Sequence, residues 1–408
     1  MSDKTSVPSH STVTLDQVNG DLIVGEHAVV KGTGSPPTVA VSGTVYCDGH
    51  DTFECSLHAE NLETEENVTI HGDLEVQNDI KAEDGRLEVH GNLTAKQVDV
   101  DEALYVTKDL TAQEVDVGGR LEIGGNMKAA DVDVGGTFEA KGEVAVQSID
   151  VGGSLRIEAK ATIDKLDVGG TARVNGGKIN EIDVGGSFES SAPLEFKEID
   201  VGGVVRLADK NKGGNIDVGG SFQVDGDLTF EDIDVGGRVE IRGPAEGKSM
   251  DVGGKVEVSN SLKLLGTLDV GGKVEVGQEV SAENIDVGGV LHACKVRVQK
   301  RVEVGGSINT VEGVTASFVE IGRRGEVKGP IRADEVIIGK DAQAEDIYGK
   351  KIILRNGAQA QNVYGENVTI EPHCHISGEV QYTNELRIAE ASLSKPPQKV
   401  SKLPFLDI

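Results

Sequence analysis

Short runs in which aliphatic and polar residues alternate recur along nearly the whole chain, as in Leu22/Val24, Val39/Val41, Phe53/Cys55, Val68/Ile70 and Leu87/Val89. Such alternation marks strands with one buried face. From Leu104/Val106 onward the runs fall into register with a tetrapeptide, Asp-Val-Gly-Gly, that begins at Asp116, Asp133, Asp150, Asp167, Asp183, Asp200, Asp217, Asp234, Asp251, Asp269 and Asp286. The steps between copies are 17 residues, with a single 16 and a single 18, and a near copy follows at Glu303-Val304-Gly305-Gly306. A fixed period of this kind is the mark of a stacked repeat, not of a catalytic motif.

Within one period the residue before the Asp is apolar (Val115, Ile149, Leu166, Met250 among others), and the residue after it is always Val. Successive side chains on a strand point to opposite faces, so the two aliphatic neighbours turn inward and the carboxylate turns to solvent. The glycine pair then turns the chain onto a second strand, and apolar residues such as Ala159, Ala161 and Ile163 continue onto a third side. The predicted fold is all-β: a single-stranded, right-handed, three-sided parallel β-helix of about 17 residues per turn and about 21 turns. With each turn adding about 4.8 Å, the expected body is a rod about 100 Å long.

Changes in the pattern divide the chain into a flexible N-terminal arm (1–12), a β-helix of irregular period (13–98), the Asp-Val-Gly-Gly array (99–310), a second irregular β-helix (311–388) and a Pro-containing tail (389–408). In the fourth segment the tetrapeptide is gone but the period survives as Val319/Ile321, Val336/Ile338, Ile352/Leu354 and Val368/Ile370.

The net charge of -29 argues against nucleic acid as a partner, because phosphate is drawn to clustered Lys and Arg. No run of 18 apolar residues is present, so no integral membrane segment is expected, peripheral membrane association stays open, and the expected location is cytoplasmic. Cys47, Cys55, Cys294 and Cys374 match no common zinc spacing and are expected to be mostly buried thiols. The nine His residues do not gather in sequence: His71 and His90 fall on successive turns, and His373 and His375 flank Cys374 but point away from it. Long β-helices often act on polysaccharides, but with no Trp to stack sugars and no visible triad, no enzyme activity and no cofactor are expected. The 17-residue period also fits poorly with the 18-residue turn of hexapeptide left-handed helices.

The Asp column is the sharpest chemical feature. Carboxylates about 4.8 Å apart repel by about 0.9 kcal/mol per pair in water, so eleven in a row need compensation. The local reading has each Asp accept hydrogen bonds from the amides of its own Gly-Gly corner. The alternative is a row of bound Ca²⁺ or Mg²⁺ ions along Asp116 to Asp286, although the order of Asp and Gly is the reverse of that in calcium-loaded β-rolls.

The segments outside the array carry Glu326-Val327-Lys328-Gly329-Pro330-Ile331-Arg332-Ala333, Ala358-Gln359-Ala360-Gln361-Asn362-Val363-Tyr364-Gly365 and Ile376-Ser377-Gly378-Glu379-Val380. These V-x-G-x-I-x-A and G-x-V runs resemble the bactofilins, a family of polymer-forming β-helical cytoskeletal proteins, over roughly 13–98 and 311–388. The resemblance implies a scaffold that assembles end to end with itself, without nucleotide, here enlarged by the inserted array. The residues expected to carry assembly are Val13, Leu15, Val18 and Leu22 at one end and Tyr382, Leu386 and Ile388 at the other, since terminal turns expose strand edges. The tail, through Phe405 and Leu406, is expected to dock, and could compete as a cap. The alternative function is a monomeric spacer whose acidic face recruits other proteins.

Overall fold

The computed structural model describes residues 4–404 and contains strands and turns but no helix among them. Every pairing between named strands is parallel and joins residues about one period apart, which makes the chain a parallel β-helix of about 23 turns. It forms two compact units, Met1–Gly202 and Gly203–Ile408. The boundary falls inside the Asp-Val-Gly-Gly array, so it does not follow the motif changes that divide the sequence.

In the first unit each turn contributes one strand to each of three ladders. Face A stacks Lys4–Val7, Asp21–Val24, Thr44–Cys47, Asn61–Thr64 and their successors. Face B stacks Thr12–Thr14, Val29–Lys31, Asp51–Glu54 and Val68–Ile70. Face C stacks Gln17–Val18, Thr38–Val41, Ser56–Ala59 and Leu74–Val76. Along each ladder the inward positions hold aliphatic residues in register, as in Leu87, Leu104 and Leu121, all with no exposed surface. One turn alone leaves both rims of its apolar ring open, and stacking covers them while supplying backbone hydrogen-bond partners. The second unit repeats the plan, with face A from Asn215–Val218, face B from Val204–Leu207 and face C from Asn211–Lys212.

The glycine pairs serve a different purpose from turning the chain through a left-handed conformation. Among the described residues the positive-φ glycines lie elsewhere, for instance Gly176 and Gly177 (φ 69° and 119°), where the period shortens. At the corners a Cβ would strike the carbonyl oxygen one turn below: 2.2 Å for Gly118 against Asp101, 2.4 Å for Gly153 against Gly136. The Gly136 carbonyl also accepts an inter-turn hydrogen bond, Gly153 N–H donating to it at 3.0 Å. Glycine is needed because the backbones approach too closely for any side chain.

The two ends of the described chain are more ordered than the sequence suggests. Residues 4–7 are not an arm but a strand paired with Asp21–Val24. Val7 is the only aliphatic residue in that strand, so alternation could not reveal it; pairing with the exposed edge of the next turn does. The tail also continues the helix through one more turn, with Ser392–Leu393 on His375–Ile376 and Gln398–Lys399 on Gln381–Tyr382. Pro396 and Pro397 sit at the corner between these strands, where a missing N–H breaks no ladder bond.

Candidate assembly surfaces and the acidic column

The first turn presents three edge strands, Lys4–Val7, Thr12–Thr14 and Gln17–Val18, each paired on one side only among the described residues. Val13 and Leu15 on this rim are half-buried, while Val18 is 3% exposed. Leu22 does not belong to the rim. It lies between Thr5 on one side and Val45 on the other and is fully buried, because the strand at Lys4–Val7 covers it. Val7 takes its place in the terminal turn.

In the second unit the last turn presents Glu385–Ile388, Ser392–Leu393 and Gln398–Lys399. Leu386 is half-exposed and Ile388 is 39% exposed, an unusual value for an aliphatic residue at an inward position. Tyr382 is one turn further in, paired with Gly365 and Lys399, and half-buried. Leu393 and Val400, which alternation did not single out, complete this rim with partial exposure. The tail does not lie over the rim at Leu403 and Pro404. These residues line a depression of about 240 Å³ on face C with Arg332, Tyr348 and Tyr364, whose rings stack 4.8 Å apart. Phe405 and Leu406 lie outside the described residues.

The Asp column is continuous within each unit. In the first, Asp116, Asp133, Asp150, Asp167, Asp183 and Asp200 pair in register, preceded by Asp99. In the second, Asp217, Asp234, Asp251, Asp269 and Asp286 do the same, followed by Glu303 and Glu320. Asp99 was legible in Val98-Asp99-Val100, but Asp101-Glu102 stands where the glycine pair would be. The alternation places the side chains as expected, with Val117, Val134 and Val151 buried and the carboxylates facing out.

At the described corners the glycine amides do not supply the expected compensation. The glycine amides donate to backbone carbonyls of the turn below, Gly118 to Val100 and Gly135 to Val117 at 3.0 Å each, so the amides are already committed. Asp and Asn side chains do bridge turns, in the longest run at the corner between faces B and C. There Asp73 Oδ1 accepts the Asn92 amide at 2.7 Å, Asn92 Oδ1 the Asp109 amide at 3.3 Å, and Asp109 Oδ1 the Asn126 amide at 2.7 Å. The ladder ends with Asn126 Oδ1 accepting the Glu143 amide at 2.9 Å.

Partial desolvation, then repulsion from column neighbours, raises the carboxyl pKa of Asp116, Asp150, Asp183 and Asp269. A carboxyl raised by folding is destabilising when ionised: its contribution is present below the unfolded pKa and lost as pH rises through the folded one. Asp150→Asn is therefore expected to raise the thermal midpoint at pH 7, and the difference from the parent should vanish toward pH 3. Circular dichroism melts across that range check it, and a lower midpoint at pH 7 would contradict the account. Glu275 in the second unit shows the opposite sign. Hydrogen bonds from Lys255 (2.6 Å) and Lys273 hold it down at about 2, so its contribution persists until the pH falls through that value.

Among the described residues no group of three or more His, Cys, Asp or Glu side chains converges on a metal position. Cys47, Cys55 and Cys374 are buried and Cys294 is half-exposed, all as thiols. Histidines dispersed in sequence do meet in space: His10 stacks on His27 with ring centroids 5.1 Å apart, His27 meets His50 edge-on at 5.0 Å, and His71 meets His90 edge-on. Equivalent positions on stacked turns become neighbours, a consequence that the approximate 17-residue spacing of His10 and His27 foreshadows.

Comparison with models of known protein families, with curated proteins and with solved structures finds no match.

Proposed function

We propose that the protein is a structural, bactofilin-like scaffold that assembles end to end, the last turn of one copy continuing onto the first turn of the next. The observation that carries this reading is the pair of open rims, whose inward residues agree in register. Extending the face A ladder by one turn sets Glu385 over Lys4, Leu386 over Thr5 and Ile388 over Val7. Extending face B sets Leu393 over Ser11, two residues before Val13, because Leu393 continues the column of Ile376, Leu87, Val68 and Asp51. Apolar residues meet apolar or small ones, and the one charged pair is of opposite sign. Edge strands with unpaired amides and carbonyls invite this pairing, and no nucleotide is required for it. The junction is heterologous, so each added copy re-creates the same open rim and growth does not close.

A charge-swap cycle tests the register. Lys4→Glu and Glu385→Lys are each expected to weaken association several-fold, and the double variant to restore it; sedimentation velocity over a concentration series reads the effect. Exposed ion pairs contribute roughly 0–1 kcal/mol, so the cycle tests placement more than strength. Additive losses in the double variant would contradict this register.

A second reading, a monomeric binding protein, is favoured by one feature of the second unit. A groove of about 950 Å³ runs past Glu257, Glu275, His292, Cys294 and Val311. Val311 is 80% exposed there, an apolar side chain available to a partner.

A further inference from the structure

We propose that His71 and His90 form a binding site for a divalent first-row transition-metal ion with affinity for imidazole, of the Cu²⁺ and Zn²⁺ type. The two residues follow the face B strands Val68–Ile70 and Arg86–Val89 and so occupy neighbouring turns of the first unit. Their Nδ1 atoms face each other at 3.1 Å, with the rings inclined at 82°. With metal–nitrogen bonds of about 2.0–2.1 Å, that separation subtends about 100° at a shared ion, a bite suited to adjacent positions of a tetrahedral or octahedral shell.

A second feature prepares one of the ligands. Glu88 Oε1 lies 2.9 Å from His90 Nε2. A carboxylate there accepts the Nε2 proton and leaves the lone pair on Nδ1, the atom that faces His71; carboxylate–histidine pairs of this kind orient metal ligands generally. Both rings and Glu88 are partly exposed, so water can complete the coordination shell. The ion would tie together two turns held otherwise by backbone bonds and apolar packing. Glu54, one turn below His71, is already paired with Lys31 at 3.0 Å and is not needed as a ligand.

The test uses the metal-free full chain and Cu²⁺ or Zn²⁺ as the probe. Calorimetric titration is expected to show a saturable site, tighter for Cu²⁺ than for Zn²⁺ and absent for Mg²⁺ and Ca²⁺, with Cu²⁺ paramagnetic resonance reporting two equivalent-type nitrogen ligands. His71→Ala and His90→Ala should each weaken it at least tenfold, and Glu88→Gln should weaken it to a smaller extent with the two-nitrogen signature retained. A variant lacking His10, His27 and His50 should keep the site. Circular dichroism of each variant establishes that the β-helix is intact. No saturable binding, or binding unchanged when both His71 and His90 are replaced, would overturn the proposal and leave the pair as a hydrogen bond between turns.

Discussion

Leu386→Arg combined with Ile388→Arg is expected to hold the protein as single copies while leaving its β-rich circular dichroism unchanged. Both residues sit on the last face A strand, paired on their inner side with Val368 and Ile370 and with no strand on the other side among the described residues. Burying two such side chains at a junction contributes on the order of 3–6 kcal/mol, and a buried, unpaired guanidinium adds its own desolvation cost. At 1.4 kcal/mol per factor of ten, association should weaken by at least about 100-fold. Because the rim is solvated in a single copy, the charges cost little there, which separates loss of assembly from loss of folding. The counterpart substitution at the first turn, Val13→Arg, should act in the same direction. Leu22→Arg should instead unfold part of the first unit, since Leu22 is fully enclosed.

Gly153→Val is the second large effect expected, and it acts on the fold. A Cβ at this corner would lie 2.4 Å from the Gly136 carbonyl oxygen, and that oxygen also receives the Gly153 and Ser154 amides at 3.0 and 3.1 Å. Backbone atoms held by hydrogen bonds on both sides cannot yield as a side chain would, so the turns must separate locally. Overpacking of this kind costs roughly 1–3 kcal/mol, which for a unit of this size lowers the thermal midpoint by roughly 2–12 °C. Thermal melts compare it directly with Asp150→Asn, three residues earlier, for which the expected change has the opposite sign. An unchanged midpoint in Gly153→Val would mean that the corner is looser than its backbone contacts imply.

The contrast between these neighbouring positions shows what a sequence of this type makes legible. Period and alternation place Asp outward, Val inward and a corner at the glycines, because those depend only on which way each side chain points along a strand. The reason for the glycines is different: the turn geometry itself needs no positive φ at Gly153, and the requirement arises only when Gly136 is stacked beneath it. Contacts between turns are read from position within the period, and where the period varies that reading fails. The sequence places His71 and His90, 19 residues apart, on successive turns but not in contact, and His27 and His50, 23 apart, do not stand out at all, yet each pair occupies equivalent corners. The Asp73–Asn92–Asp109–Asn126 ladder was missed for the same reason and because Asp and Asn alternate in it. At the two termini the hydrophobic signal fades, with Val7 and Leu393 as isolated aliphatic residues, so alternation predicts a flexible arm at one end and a Pro-containing tail at the other instead of strands. Those are the residues that decide which rim is open.

Electron microscopy of the purified full-length protein, without nucleotide, over a range of concentrations tests the central claim most directly. End-to-end stacking predicts unbranched filaments that lengthen with concentration, are lost in the Leu386→Arg, Ile388→Arg variant, and give fibre diffraction with a spacing near about 4.8 Å along the filament axis. Separate, uniform particles at every concentration, with the same appearance in parent and variant, would contradict it.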